Sequence, residues 1–343
     1  MSKGSYQFQG APTEFGKRHV RESGVKLINQ IQPDYLGIGQ ACEGVESIGR
    51  LWWPGEPDKE LVWKGGQGAN EWWELARPRI RKCPLIKKWR GPNEVAIDTV
   101  AKALSYLAFE MRRITILHLD GLEAISGCTS TGCWEPWVYP HLYDIFRTTD
   151  YWEVHEYGMR YMNLGDTGHL LRYRRLIKQL KAAGIRIPPI IIGETGIDYA
   201  GNPTLDGWQK WATPEQYVGQ LIAYLQEVAK DPEVILVTPF VWSDQGWPSF
   251  NHTEYVSQLY TQYIKSSQSS EAALIKYAEK WIIPMVPGFA LWNYITGKNW
   301  ILASQEFGYE GATYQWAFVQ VTNRLILCRW QSGAVTEVFT RPN

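Results

Sequence analysis

The chain has 343 residues, 45% of them hydrophobic, with Lys+Arg and Asp+Glu both at 35 and a formal net charge of zero. That apolar fraction excludes a disordered chain, and the charge balance lacks the basic excess of a nucleic-acid or anionic-membrane binder. No apolar run near 18 residues is present, so no transmembrane helix is expected. The 18 Trp and 19 Tyr suit both a large core and stacking on the apolar faces of sugar rings.

The opening MSKGSYQFQG has no apolar stretch of the signal-peptide kind; the compartment is left open, with secretion and association with a phage both compatible. In the N-terminal third, 5–10, 33–39 and 60–65 (SYQFQG, PDYLGIG, ELVWKG) are the candidate first three strands, and 16–32 the first helix. Little room is left for a helix between the second and third strands, so an irregular barrel is expected there. From residue 85 onward short apolar runs alternate with amphipathic stretches, the pattern of parallel βαβ units. PLIKKWRGPNE (84–94) reads as a strand ending in a polar turn. Val100, Leu104, Leu107 and Met111 are spaced for the inner face of a helix over 96–112. ITILHLDG (114–121) reads as strand five, followed by a Trp-containing loop and a helix near 138–147. YWEVHEYG (151–158) is strand six, 168–184 a helix closed by Gly184, and PPIIIGETGID (188–198) strand seven. Thr213-Pro214 opens a helix over 214–230, EVILVTPFVWSD (233–244) is strand eight, and 255–264 the last helix.

The polar KSSQSSEAA (265–273) marks a boundary. The expected organisation is therefore α/β: a (β/α)₈ TIM-type barrel over 1–266, then a small α+β module over 271–343. The module combines a helix near 272–280, a short helix around 289–297 and antiparallel strands in 312–322, 324–330 and 334–340. The five Cys are scattered. Cys128 and Cys133 either close one small loop disulfide or stand as free thiols, and no Cys/His cluster has zinc spacing, so no metal or cofactor is expected.

Glu94 closes WRGPNE and Glu194 sits in IIIGETG, each at the carboxyl end of a predicted strand, numbers four and seven. Carboxyl ends of strands line the active face of a parallel barrel. A Glu leaving an Ile-Ile-Ile run is a costly place for a charge unless it faces a polar cleft. Glycoside hydrolysis needs such a pair of carboxyl groups. His155 and Tyr157 lie two apart on a strand, hence on one face, and Glu156 on the other. His118 and Asp120 end predicted strand five, Gln40 and Glu43 follow strand two, and Trp52, Trp53, Trp134 and Trp137 are candidate sugar-stacking residues.

Asn93-Glu94 after an aromatic-containing strand, together with Glu194 in a strand-end Glu-Thr-Gly, resembles glycoside hydrolase clan A, the retaining (β/α)₈ enzymes, over about residues 80–250. The resemblance implies Glu94 as acid/base, Glu194 as nucleophile and Asn93 as a ligand of the sugar 2-hydroxyl. It further implies His155 or Tyr157 beside the nucleophile, and Trp242 as an aromatic platform after strand eight. Arg90 stands where some relatives carry a Glu. Glu94 is expected to start protonated, its carboxyl raised by the Glu194 charge, with Tyr157 donating to Glu194.

The reading that follows is a retaining hydrolase of β-glycosidic bonds in a polysaccharide, endo-acting, with a carbohydrate polymer or oligosaccharide as partner. Two others stay open: a cell-wall lysin of muramidase type, whose C-terminal module contacts wall or polysaccharide, and a catalytically inactive carbohydrate-binding barrel.

Overall fold

A computed structural model of the chain describes residues 3–10, 12–33, 44–132, 134–242, 246–279, 301–302, 307–309, 312–319, 324–331 and 334–342. The chain divides into two compact units, 1–265 and 266–343. In the first, eight strands follow one another around a parallel sheet: β1 (Gln7–Gln9), β2 (Leu27–Ile31), β3 (Glu46–Arg50), β4 (Lys88–Arg90), β5 (Glu123–Thr129), β6 (Tyr151–Gly158), β7 (Ile190–Ile197) and β8 (Val234–Pro239). Parallel bridges Gly4–Val237 and Phe8–Trp242 join the last strand to the first. This is a (β/α)₈ barrel.

The N-terminal third differs from the expected elements. Helix α1 (Glu14–Ser23) stops at Gly24, whose φ of 73° makes a left-handed cap, and the tail read as helix is strand β2. The 60–65 segment lies in helices α2 (Pro57–Val62) and α3 (Gly65–Ile80), while β3 comes from ESIGR. No helix occurs among the described residues between β2 and β3; most of PDYLGIG lies outside them.

Further on, ITILHL is the last part of one long helix, α4 (Val100–Leu119), and strand five is EAISGCT. The buried stripe of α4 runs through Ala103, Tyr106, Phe109, Glu110, Arg113 and Leu117, whereas Val100 and Leu104 are exposed. Helices α5 (Tyr143–Thr148), α6 (Tyr173–Ala182), α7 (Pro214–Val228) and α8 (Glu254–Glu279) complete the series. The Thr213 capping box starts α7.

Inside the ring, Ile48, Ile125, Ile191 and Leu236 pack as an apolar layer near the strand starts. Nearer the carboxyl ends the lining turns polar: Asn29 Nδ2 donates to Gln7 Oε1 and to the Gly193 carbonyl, each at 3.2 Å. The polar layer marks where packing gives way to the site.

The second unit holds an antiparallel sheet of β9 (Ile301–Leu302), β10 (Phe307–Tyr309), β11 (Ala312–Val319), β12 (Arg324–Gln331) and β13 (Ala334–Pro342). The helix expected near 272–280 is the end of α8; the short helix expected around 289–297 lies outside the described residues. No helix among the described residues is long and apolar enough to cross a membrane.

Candidate active site

Alternation along β6 directs Glu153, His155 and Tyr157 inward. From β7, Glu194 meets them: Tyr157 OH donates to Glu194 Oε2 at 3.1 Å, and His155 Nδ1 lies 3.6 Å from the same oxygen. Arg50, the last residue of β3, donates Nη1 to Glu194 Oε1 at 3.0 Å, and Arg90 of β4 stands 3.5 Å from it. Burial alone would raise the Glu194 carboxyl, but the charges of His155, Arg50 and Arg90 and the Tyr157 hydrogen bond outweigh it, holding it at about 2.

Glu94 comes from the turn after β4. Its φ of 52° is left-handed, as is that of Cys128 at 47°. The Glu94 N–H donates to the Cys128 carbonyl at 2.8 Å, tying the two unusual residues together. Such conformations cost about 1–3 kcal/mol and persist where the surroundings dictate them. The side chain is thereby delivered to His155, whose Nδ1 is 2.9 Å from Glu94 Oε1. Asn93, beside it, is buried, and its amide oxygen has no hydrogen-bond partner. Glu94, His155 and Glu194 present oxygens and a nitrogen within 4.8 Å of one another. Two guanidinium groups already face this cluster, which opposes a dication there.

A cleft of about 760 Å³ opens above, lined by Asn93, Glu94, Glu194 and Tyr157 together with Trp52, Phe240, Trp247 and Phe250. Asp198, Lys59 and Glu56 add charge at its edges. Polar groups converge from four strands, and aromatic rings provide flat walls, the layout of a carbohydrate-accommodating groove.

The protonation of the site departs from expectation. Burial pushes the Glu94 carboxyl up, but the His155 hydrogen bond and charge more than offset it and hold it below the usual range. His155 is pushed up to about 9: burial opposes the charge, while Glu194, Glu153 and Glu94 favour it. At neutral pH the titrating proton therefore rests on the imidazole of a coupled His155–Glu94 pair, and Glu94 does not start protonated.

Three expected site residues lie elsewhere. Trp242 is buried outside the barrel, its ring edge-on to His252 and Tyr6 and its Nε1 donating to Ser257 Oγ at 2.9 Å. Regular alternation stops with β8 at Pro239, so Phe240 takes the cleft and Trp242 the core. His118 and Asp120 end helix α4 and precede β5, which puts them at the opposite end of the barrel. His118 pairs with Asp150 at 2.8 Å and Asp120 lies 3.8 Å from Arg81.

Of the tryptophans, Trp52 lines the cleft, Trp53 packs under Arg79, Trp134 is core and Trp137 is exposed. Gln40 and Glu43 lie outside the described residues. Cys128 is a free, buried thiol against Glu153, 3.7 Å from its Oε2, rather than half of a disulfide. Glu156 faces outward, taking N–H donors from Leu171 and Tyr173. Sequence reading missed Arg50, Glu153 and Phe240.

No protein-family model matches the chain, and no curated relative does. Solved structures do share its fold. A GH128 subgroup I endo-β-1,3-glucanase from Amycolatopsis mediterranei, in complex with laminaritriose, superposes with a TM-score of 0.51 at 13% identity, covering 76% of this chain and 99% of the other. A monomeric β-xylosidase from Caulobacter crescentus does so with a TM-score of 0.50 at 12% identity, covering 97% and 75%. At these identities the likeness is one of fold.

Proposed function

We propose that the protein is a retaining glycoside hydrolase that cleaves β-linked polysaccharide by double displacement. The observation that carries this reading is the pair Glu94–Glu194, projecting from the ends of β4 and β7 into one aromatic-walled cleft with an oxygen of each within 4.8 Å. Inverting enzymes leave about 6.5–9.5 Å between carboxyl groups for a water; retaining ones hold them at about 5–5.5 Å.

Glu194, ionised and fixed by Arg50 and Tyr157, attacks the anomeric carbon and forms a glycosyl ester. In the reactive form the pair's proton is on Glu94, and His155 is neutral with its Nδ1–H donated to Glu94. Glu94 protonates the leaving oxygen, then takes a proton from the water that hydrolyses the ester. Asn93 is suited to the sugar 2-hydroxyl, and Phe240, Trp247 and Trp52 to the sugar faces. The cleft's volume of about 760 Å³ and its three aromatic walls, Trp52, Phe240 and Trp247, suit several sugar units, which supports endo action. The fold-mates' activities put β-1,3-glucan and xylan first in a substrate panel that also holds mannan and peptidoglycan.

The test is the split between the carboxylates. Glu194→Ala should abolish turnover of every substrate, with azide restoring some activity and giving inverted product. Glu94→Ala should spare the first step with dinitrophenyl glycosides, whose leaving group needs no proton. Early product anomers followed by NMR should keep the substrate's configuration. Inverted first product from the wild type would overturn the mechanism.

A further inference from the structure

Below His155 lies a carboxylate outside the cleft. Glu153 is fully buried, does not line the cavity, and is ion-paired with the equally buried Arg90. Its Oε1 is 3.2 Å from His155 Nε2, while Arg90 Nη2 is 2.9 Å from the same nitrogen. These two contacts demand opposite states of the ring. Glu153 accepts only from an Nε2–H; Arg90 donates only to a bare Nε2.

Residue 193 must be glycine for this arrangement, because a Cβ there would run into the Glu153 carboxylate. Charge counting decides between the states. The buried cluster holds two guanidinium groups, Arg50 and Arg90, against three carboxylates, Glu94, Glu153 and Glu194. A net charge of −1 in a buried site is costly, and an imidazolium at His155 neutralises it.

The groups facing His155 are Arg90 and Glu94 from β4 and its turn, Glu153 and Tyr157 from its own strand, and Glu194 from β7. Arg50 reaches it through Glu194, and Cys128 of β5 lies against Glu153. On the outer side of β6 are Glu156 and Arg172.

We propose that Glu153 is a positioning residue: it holds the site's proton on His155 and thereby sets the pH at which the His155–Glu94 pair can act as an acid. Arg90 is its counterweight, favouring the neutral ring that accompanies a protonated Glu94. The inference rests on the hydrolase reading for its catalytic consequence only.

The test uses ¹⁵N-histidine-labelled protein, with the His155 signals assigned through H155Q. In the wild type both ring nitrogens of His155 should be protonated at pH 7.5. In Glu153→Gln the ring should lose its Nε2 proton and titrate about 1–3 pH units lower, and Glu153→Asp should restore the imidazolium. With alkyl or phenyl glycosides, which need the acid, the basic limb of kcat/KM should move down together with the ring; with dinitrophenyl glycosides no such limb should appear in the first step. A neutral His155 in the wild type at pH 7.5, or an unmoved titration in Glu153→Gln, overturns the proposal. If Glu153→Gln does not fold, a neutral wild-type ring at pH 7.5 still overturns the proposal. Wild-type protein inert toward all glycosides would instead refute the hydrolase reading and leave the NMR result standing.

Discussion

Arg50, which the sequence does not single out, is second to His155 among the charges that keep Glu194 ionised. Its Nη1 is 3.0 Å from the carboxylate, and both side chains are 8% exposed. Arg50→Met keeps the apolar stem and removes the cation, so the Glu194 carboxyl should rise by about 1–3 pH units from its depressed position. The sign is fixed: Glu194 must be ionised to attack, so the acid limb of the kcat/KM profile should move upward, from about 2 to about 3–5. A limb that stays in place would show that His155 and Arg90 suffice.

A second pair of variants separates cleft from core. Phe240→Ala removes a wall of the cleft and should weaken transition-state binding by about 1–3 kcal/mol, by analogy with other ring stacking. Its ring is also buried against Tyr157, Trp247 and Phe250, so Tm should fall as well and kcat/KM of the folded enzyme tells the two variants apart. Trp242→Ala empties a core site and should cost about 3–5 kcal/mol of stability, read by urea unfolding. Glu194 was legible because an acid leaving an Ile-Ile-Ile run is a costly place for a charge, and Glu94, after the polar KWR of β4, through the Asn-Glu pattern at a strand end. Arg50 was hidden because ESIGR looks like a loop: its Gly49 breaks the strand pattern. That glycine is there because the Trp89 ring lies where a side chain would go.

At the scale of elements, α4 and β5 show where periodicity misleads. The run Ile114-Thr115-Ile116 is β-branched and reads as strand, yet it continues a helix. The strand itself, EAISGCT, is rich in small residues. What binds the two elements is polar and invisible to a hydrophobic pattern. Glu110 and Arg113, one turn apart and fully buried, form a two-pronged ion pair with N···O distances of 2.8 and 2.7 Å. Arg113 Nη2 also donates to the Ile125 carbonyl of β5 at 2.8 Å, and Ser126 Oγ donates to Glu110. Glu110→Gln leaves Arg113 as a buried charge without its counter-ion and should cost roughly 3–5 kcal/mol, measured by denaturant unfolding. A loss below about 1 kcal/mol, the range of exposed pairs, would mean that water enters this seam. Five strands were legible, the short β1 and β4 as well as β6, β7 and β8; β2, β3 and β5 were not, because LINQI continues a helical pattern past Gly24 and ESIGR and EAISGCT are rich in small and polar residues.

For the whole molecule, buried titratable groups fix how stability changes with pH. Glu194, held at about 2, and His252, lowered to about 3 by burial, are both depressed. Each favours folding above its ordinary value, near 4.5 and 6.5, and loses that contribution as pH falls through its folded value. Glu156 and His155 act oppositely. Burial raises Glu156 to about 7, moderated by Tyr224 and the backbone N–H groups, and His155 stands at about 9. Their contributions are complete below the ordinary values and are lost as pH rises through 7 and 9. The curve of Tm against pH should therefore climb from acid to about pH 4.5, change little to 6.5 where Glu156 and His252 oppose each other, and fall toward 9. Glu156→Gln isolates one component. It keeps one acceptor oxygen, for either the Leu171 or the Tyr173 N–H group, and removes the titration. One proton is worth about 1.4 kcal/mol per pH unit, so the wild type should lose up to roughly 3 kcal/mol relative to the variant between pH 4.5 and 7. The difference is read from urea unfolding at several pH values. Parallel wild-type and variant curves across that window would show that Glu156 is ionised in the fold throughout, with the N–H groups of Leu171 and Tyr173 and the Tyr224 hydroxyl carrying the charge.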